Sequence, residues 1–291
     1  MITMAESTTP KNQVPDSITQ VGITMKYAFR DYLRSRRFVI LLGIMLIISI
    51  LLTAVVGYYR PASFLSSPLS FFSGWWGMSV TFITVLSGIF FGGDAISGEF
   101  QNKTGYFTLP NPIRRSSVYV GKWMSAFTAS SIVLFIFAGI TLANEIYYFP
   151  GQAIPWQFGE SFLFAWFYLV AVLGFTFFFS SLFKSTSYSI LITAILFLFA
   201  FTLIETLVAA LAQVEPWFIL TYGSEIIGNV LMTTYPAHIT TVHGVFGGGN
   251  AAAKAFTSFN VTIPEGLAII GIYFLVTAAL GLILFERKEF N

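Results

Sequence analysis

The chain has no cysteine. That absence excludes disulfides, thiolate metal sites and cysteine nucleophiles, and it leaves the redox compartment open. The two histidines, His238 and His243, are too few for a His-rich metal site. Charge is scarce as well: 10% of the residues are Asp, Glu, Lys or Arg, against about 25% in a soluble domain. Such a chain cannot cover a water-facing surface in the ordinary way. Signatures of catalysis are missing too. No G-x-x-x-x-G-K-[ST] phosphate loop, H-E-x-x-H or G-x-S-x-G run occurs. Gly247-Gly248-Gly249-Asn250 lacks the Lys-Ser/Thr pair of a phosphate cradle. An enzyme reading has almost nothing to stand on.

What the chain does have is apolar length. Hydrophobic residues make up 56% of it, with 33 Phe, and about 20 apolar residues cross roughly 30 Å of hydrocarbon. Six runs qualify, at 38–59, 74–93, 123–143, 161–183, 188–210 and 266–285. They are continuous rather than alternating, which predicts an all-α polytopic membrane protein rather than a β-barrel. Residues 1–21 are polar and read as a disordered tail, not a signal peptide. Residues 22–291 then form a single six-span domain.

Charge gives the orientation. With an even number of spans, one side receives Lys11, Lys26, Arg30, Arg34, Arg36, Arg37, Lys103, Arg114, Arg115, Lys122, Lys184, Arg287 and Lys288. The other keeps Arg60 and Lys254, so the asymmetry is 13 against 2. The positive-inside rule predicts a cell-membrane protein with both termini cytoplasmic. Tyr58, Tyr59, Trp75, Trp76, Tyr147, Tyr148 and Trp156 fall near the outer span ends, as an aromatic belt would. Asn260-Val261-Thr262 is a sequon on the outer side, but Asn102-Lys103-Thr104 repeats the form on the inner side, and chance accounts for both.

Residues 22–37 precede the first span. At 100° per residue, Lys26, Arg30, Arg34 and Arg37 share an arc of roughly 80°, and Met25, Phe29, Tyr32 and Leu33 share another of roughly 100°. This predicts an amphipathic helix in the cytoplasmic interface, chiefly an anchor and secondarily a docking surface.

The loop 94–122, between spans two and three, is longer than a connector needs, since neighbouring helices are joined by about 2–8 residues. Glu99, Phe100, Lys103, Tyr106 and Phe107 lie at helical spacing, and Pro110 and Pro112 stop that helix. The run D-A-I-S-G-E-F-x-x-K-T-G-Y-F-x-L-x-x-P-I-R-R-S-x-x-x-x-G-K resembles the signature of the type-2 ABC exporter permeases. Asp94, Ile96, Glu99, Thr104, Pro112, Arg114, Gly121 and Lys122 match it, while the order Lys103-Thr104-Gly105 departs from the usual Gly-Thr step. The six spans, the basic leading helix, the Ser-Ser-Leu-Phe-Lys-Ser turn after span four, the long outer segment and the Glu-Arg-Lys-Glu tail extend the resemblance over nearly the whole chain.

That resemblance implies a coupling helix in the loop, gripped by a separate ATP-hydrolysing subunit that carries the ATP and Mg. Asp94, Glu99, Lys103, Thr104, Arg114, Arg115 and Lys122 would form the coupling interface. It also implies a second permease copy or a related permease as dimer partner, export as the direction, and no nucleic-acid partner. The plain alternative for the loop's arginines and Lys122 is the positive-inside rule alone.

By the same resemblance spans two and five border a path at the centre of the dimer. Thr81, Thr84 and Ser87 could line it, although they and the Gly88-x-x-x-Gly92 spacing are equally explained by helix packing. Glu205, 17 positions after Tyr188, is an acid within a span and a candidate for the path. An ion-coupled transporter or channel using Glu205 is the competing function, and a scaffold that moves nothing is a third. Glu145 lies at the outer end of span three. In the outer segment 211–265, Pro216–Tyr222 and Ser224–Met232 are apolar but too short to cross, and predict re-entrant or interfacial helices. The stretch 244–253 is expected to be mobile, and His238 and His243 to be ordinary surface residues.

Overall fold

Inside hydrocarbon a helix is the one single-segment structure that satisfies its own backbone, so each long apolar run must coil. The computed structural model describes residues 16–102, 114–244 and 254–288. The N-terminal tail, Lys103 to Ile113, and the Gly-rich 245–253 lie outside the described residues. The leading helix α1 spans Ser17–Arg34. Six helices are long and apolar enough to cross a membrane: α2 (Arg36–Tyr59), α3 (Pro68–Gln101), α4 (Arg115–Tyr148), α5 (Trp156–Leu182), α6 (Thr186–Ala212) and α9 (Ile263–Arg287). Between the last two lie the short helices α7 (Leu220–Ser224) and α8 (Ile226–Asn229) and the strands β1 (Ile239–Gly244) and β2 (Lys254–Phe259).

The helices outrun the apolar runs that predicted them, because capping and packing extend them into polar sequence. The amphipathic helix starts at Ser17 instead of 22, where Asp16 accepts the Ser17 N–H at 2.8 Å. It stops at Ser35, whose hydroxyl caps α2 through the Phe38 N–H. Ser67 caps α3 with Pro68 behind it. At the far end of α3 the chain turns through Gly93–Ile96 and coils once more at Ser97–Gln101. There the Ser180 hydroxyl accepts both the Ile96 and Ser97 N–H groups, at 2.9 and 3.0 Å. Helix α4 has 34 residues. It is about 51 Å long, so roughly 20 Å of it projects past a hydrocarbon core of about 30 Å. The polar turns Arg115–Lys122 of that projection carry α1: Gly121 lets the backbone of Val21 and the side chain of Thr24 come close. Lys26, Arg30 and Arg34 stay exposed.

Helix α5 is the hub, packed by α3, α4, α6 and α9. Small residues make this possible. A Cβ at Gly88 would collide with the side chain of Val172, and one at Gly92 with that of Thr176, so the α3 backbone lies directly against small side chains of α5. Near the acidic end, Trp75 and Trp76 are fully buried and stack on Phe137. They therefore belong to the core and not to an aromatic belt. Tyr58, Tyr59, Tyr147 and Trp156 are exposed. The Trp76 indole donates to Ser161, whose hydroxyl donates to the Ile227 carbonyl at 2.6 Å, tying α3, α5 and the outer segment into one chain of bonds.

The outer segment departs from the all-α expectation. β1 and β2 pair antiparallel, from Ile239 opposite Phe259 to Gly244 opposite Lys254. The runs Ile-Thr-Thr-Val and Phe-Thr-Ser-Phe are rich in β-branched and aromatic residues, which favours strands over helix. The Asn260 amide donates to Ala237 O at 2.8 Å, so the nitrogen a glycan would need is already engaged.

The α3–α5 contact generates a prediction. Gly92→Leu should destabilise the protein by about 1–3 kcal/mol, the cost of overpacking, whereas Gly139→Leu, with nothing within 4 Å, should be near neutral. Thermal melting of the purified protein in detergent checks both.

Candidate functional site

The charges of the loop after span two converge at the basic end of the bundle. Asp94 pairs with Arg37 from the start of α2, and Glu99 pairs with Lys122 from the projecting turns of α4. The Lys122 ammonium also donates to Ala95 O at 2.8 Å. The side chains of Glu99 and Lys122 are only 16% and 17% exposed, against 42% for Arg37. Stranding one member of a buried pair costs about 3–5 kcal/mol, while an exposed pair contributes about 0–1 kcal/mol. Lys122–Glu99 is therefore the stronger tie.

Further bonds hold the last turn of α3 from its other sides. Gln101 Oε1 accepts the backbone N–H and the hydroxyl of Thr186, both at 2.7 Å, which fastens it to the start of α6. The Lys288 ammonium lies 4.3 Å from the centroid of the Phe100 ring and donates to Ser181 O and Phe183 O. Arg115 donates to the carbonyls of Glu286 and Lys288 at 2.9 Å, and the Arg114 N–H donates to Gln20 Oε1 at 3.0 Å. Tyr32 OH donates to Phe91 O at 2.9 Å, and burial, with Asp94 second, pushes that phenol well up. A groove of about 720 Å³ opens beside this cluster, with Tyr27, Asp31, Arg37, Asp94, Asn102 and Lys122 on its walls.

Of the residues singled out from sequence, Asp94, Glu99, Arg114, Arg115 and Lys122 are brought together here, and each has a partner within its own chain. Lys103 and Thr104 lie outside the described residues. Gln101, Asn102 and the Arg114 backbone border the segment between them and are exposed. Arg37, Gln101, Ser180 and Lys288 are contributors that spacing did not reveal. Arg37 was visible only as one more residue of a basic face.

Of the four path candidates, Thr84 and Ser87 are buried within the chain, and Thr81 and Glu205 are half-buried. Thr84 is buried and donates back to Val80 O at 2.8 Å. Ser87 does the same to Ile83 O, and Thr81 is half-buried. Glu205 sits at the acidic end, where its carboxylate accepts the Thr221 hydroxyl at 2.7 Å and shares a hydrogen bond with Glu225. Glu225 carried no signal in the sequence beyond being a lone acid in a short apolar run. Glu145 is buried, with one carboxylate oxygen unpaired among the described residues.

The acid pair generates a pH prediction. Burial first, and Glu205 second, push the Glu225 carboxyl from 4.5 up to about 8. Between those values the native chain holds a proton that the unfolded chain has released. Stability from this group is full below 4.5 and is lost as pH rises through about 8. Glu225→Gln should flatten that decline and melt higher than wild type above about pH 8, as read from melting curves across the range.

Two results from comparison with known proteins complete the picture. No curated protein matches the chain. The family described as ABC-2 family transporter protein matches residues 24–290, which takes in α1 from Thr24 onward, all six spans, the loop after span two and the outer segment. The chain therefore belongs to the ABC-2 transporter family: it is a multi-pass membrane permease of an ABC transporter.

Proposed function

We propose that this permease exports its substrate with energy from a separate ATPase subunit, which binds ATP and Mg and docks at the basic end on the cytoplasmic side. The observation that carries the proposal is the short turn Ser97–Gln101. It is bonded at once to α4, α5, α6 and the C-terminal tail, and Asp94 just before it pairs with Arg37 of α2. A push on the segment that follows it reaches several spans together, which is what a lever must do if an outside energy source is to favour one permease conformation over another. In this reading Lys103, Thr104, Arg114 and the neighbouring groove meet the ATPase. Asp94, Glu99, Arg115 and Lys122 hold the lever to its own chain.

The permease works as a dimer, with a second copy or a related permease, around a path bordered by spans two and five. Among the described residues the π-helical stretches fall in just these two helices, at Ser73–Gly77, Leu196–Ala200 and Val208–Ala212. Such stretches recur at functional sites, where a helix must yield. Span five is also the least buried of the six, its apolar side chains Leu191, Phe199, Leu203 and Leu211 facing out of the chain. Proton coupling through Glu205 is the competing reading, favoured by its shared hydrogen bond with Glu225. Glu205→Gln would then lower transport and leave assembly intact; unchanged transport removes Glu205 from the path.

The lever is testable by charge reversal. Lys122→Glu should weaken the coupling of ATP hydrolysis to transport by about 5–150-fold, the range of a coupling free energy of ~1–3 kcal/mol. Adding Glu99→Lys should restore it, because the tie is internal to the chain. Arg114→Glu should instead lower co-purification of the ATPase from native membranes, with no rescue from within the permease. If no nucleotide-hydrolysing partner co-purifies with the wild-type chain, the proposal fails.

A further inference from the structure

The end of the bundle opposite the basic one is acidic: it carries Glu145, Glu160, Glu205, Glu215, Glu225 and Glu265 against Arg60 and Lys254. Three side chains there come from segments far apart in the sequence. Glu215 follows span five, His238 immediately precedes β1, and Glu265 lies in the first turn of α9. One carboxylate oxygen from each glutamate and a ring nitrogen from the histidine lie within 4.8 Å of one another.

Each of the three is held from behind by a group outside the cluster. The His238 Nδ1 faces the Asn260 carbonyl at 3.0 Å. A carbonyl only accepts, so Nδ1 must carry the proton, and in the neutral ring the lone pair is left on Nε2. That nitrogen is 3.5 Å from Glu215 Oε2. The other Glu215 oxygen, Oε1, accepts the Tyr222 hydroxyl at 2.6 Å. Glu265 Oε2 accepts the Thr262 N–H at 3.3 Å in a capping box, with the Thr262 hydroxyl at 3.4 Å. A lone pair and two carboxylates thus converge, each with its orientation set by a second partner, the arrangement that outer partners give metal ligands.

We propose that Glu215, His238 and Glu265 bind a divalent first-row metal ion, with zinc as the type case, which braces the exit of span five, the β-hairpin and the start of span six. The spacing fits such an ion. Two ligands at about 2.0–2.1 Å on a tetrahedral centre stand roughly 3.3–3.4 Å apart, close to the 3.5 Å between Nε2 and Oε2. The charges fit as well, since two carboxylates and a neutral imidazole balance a dication. The donor set separates metals: an imidazole with two carboxylates suits zinc or its neighbours, whereas calcium takes about 6–8 oxygens. Three protein ligands leave a fourth position for water. The site is independent of the coupling surface at the other end, so it stands or falls apart from the proposed function.

The test uses the full-length, untagged protein in detergent, stripped with a chelator and titrated with zinc chloride by calorimetry, with thermal melting in parallel. Saturable binding of one zinc per chain, a higher melting temperature with zinc, and loss of both in His238→Ala are the expected results. Tyr222→Phe keeps all three ligands but frees Glu215 to turn, and should weaken binding by about 10–100-fold. His243→Ala should bind as wild type does. Absence of stoichiometric binding by the wild-type chain overturns the proposal, and so does binding that survives His238→Ala undiminished. The wild-type titration decides by itself, so a variant that fails to fold does not blunt the test.

Discussion

The Lys122–Glu99 ion pair is the contact on which the geometry of the basic end depends. Glu99 sits just past a span with little water around it, and a carboxylate there is tolerable only if a cation and hydrogen bonds meet it. Lys122 can reach it because α4 begins two turns before its apolar stretch and projects beyond the hydrocarbon. The same projection gives α1 a surface to pack on, and α1 in turn ends at the Ser35 bend that sets the start of α2 and the position of Arg37. One electrostatic requirement thereby fixes the mutual placement of the first four helices at this end. Around it, neutral bonds from Gln101 and Ser180 and the charge-assisted bonds of the Lys288 ammonium close the cluster.

Away from that end the bundle is organised by the size of side chains. With lipid as apolar as leucine, helices in a membrane gain little by hiding hydrophobic surface and gain much by close approach. Glycines 88 and 92 bring α3 against α5, and Gly174 and Gly281 do the same between α5 and α9. Spans two, three, four and six thus form a close-packed body. Span five is different: it is sparsely covered, twice interrupted by π-helical turns, and anchored at one end by Thr186 and at the other by Glu205 on Thr221. A helix fastened at its ends and loosely packed between them can shift without dismantling the core.

The two faces of the molecule solve opposite electrostatic problems. At the basic end Asp94 and Glu99 each have a cation beside them. At the other end acids outnumber cations, and they are accommodated by neighbouring hydroxyls, as Glu205 is by Thr221 and Glu215 by Tyr222, or by converging where a cation can sit. The β-hairpin and the short helices α7 and α8 exist on that side because the segments are too short to cross and must still satisfy their backbone, partly through strand pairing and partly through contacts such as Tyr235 OH to Val261 O.

Much of this was open to inspection in the residues alone. Length and hydropathy determine six crossings, because hydrocarbon admits few other structures. The spacing of Lys26, Arg30 and Arg34 determines an exposed basic face, and the run from Asp94 to Lys122 marks the family. Only the tertiary structure decided who meets whom. It sent Trp75 and Trp76 into the core instead of a belt, turned Thr84 and Ser87 back on their own helix, and set Glu99 on Lys122 within one chain. It also paired two strands in a stretch for which no regular element was expected, and gathered Glu215, His238 and Glu265 from three segments. The physical reason is the same in each case: hydropathy and helical period act along the chain and can be read there, whereas ion pairs, close packing and ligand geometry depend on distances between residues that only folding brings together.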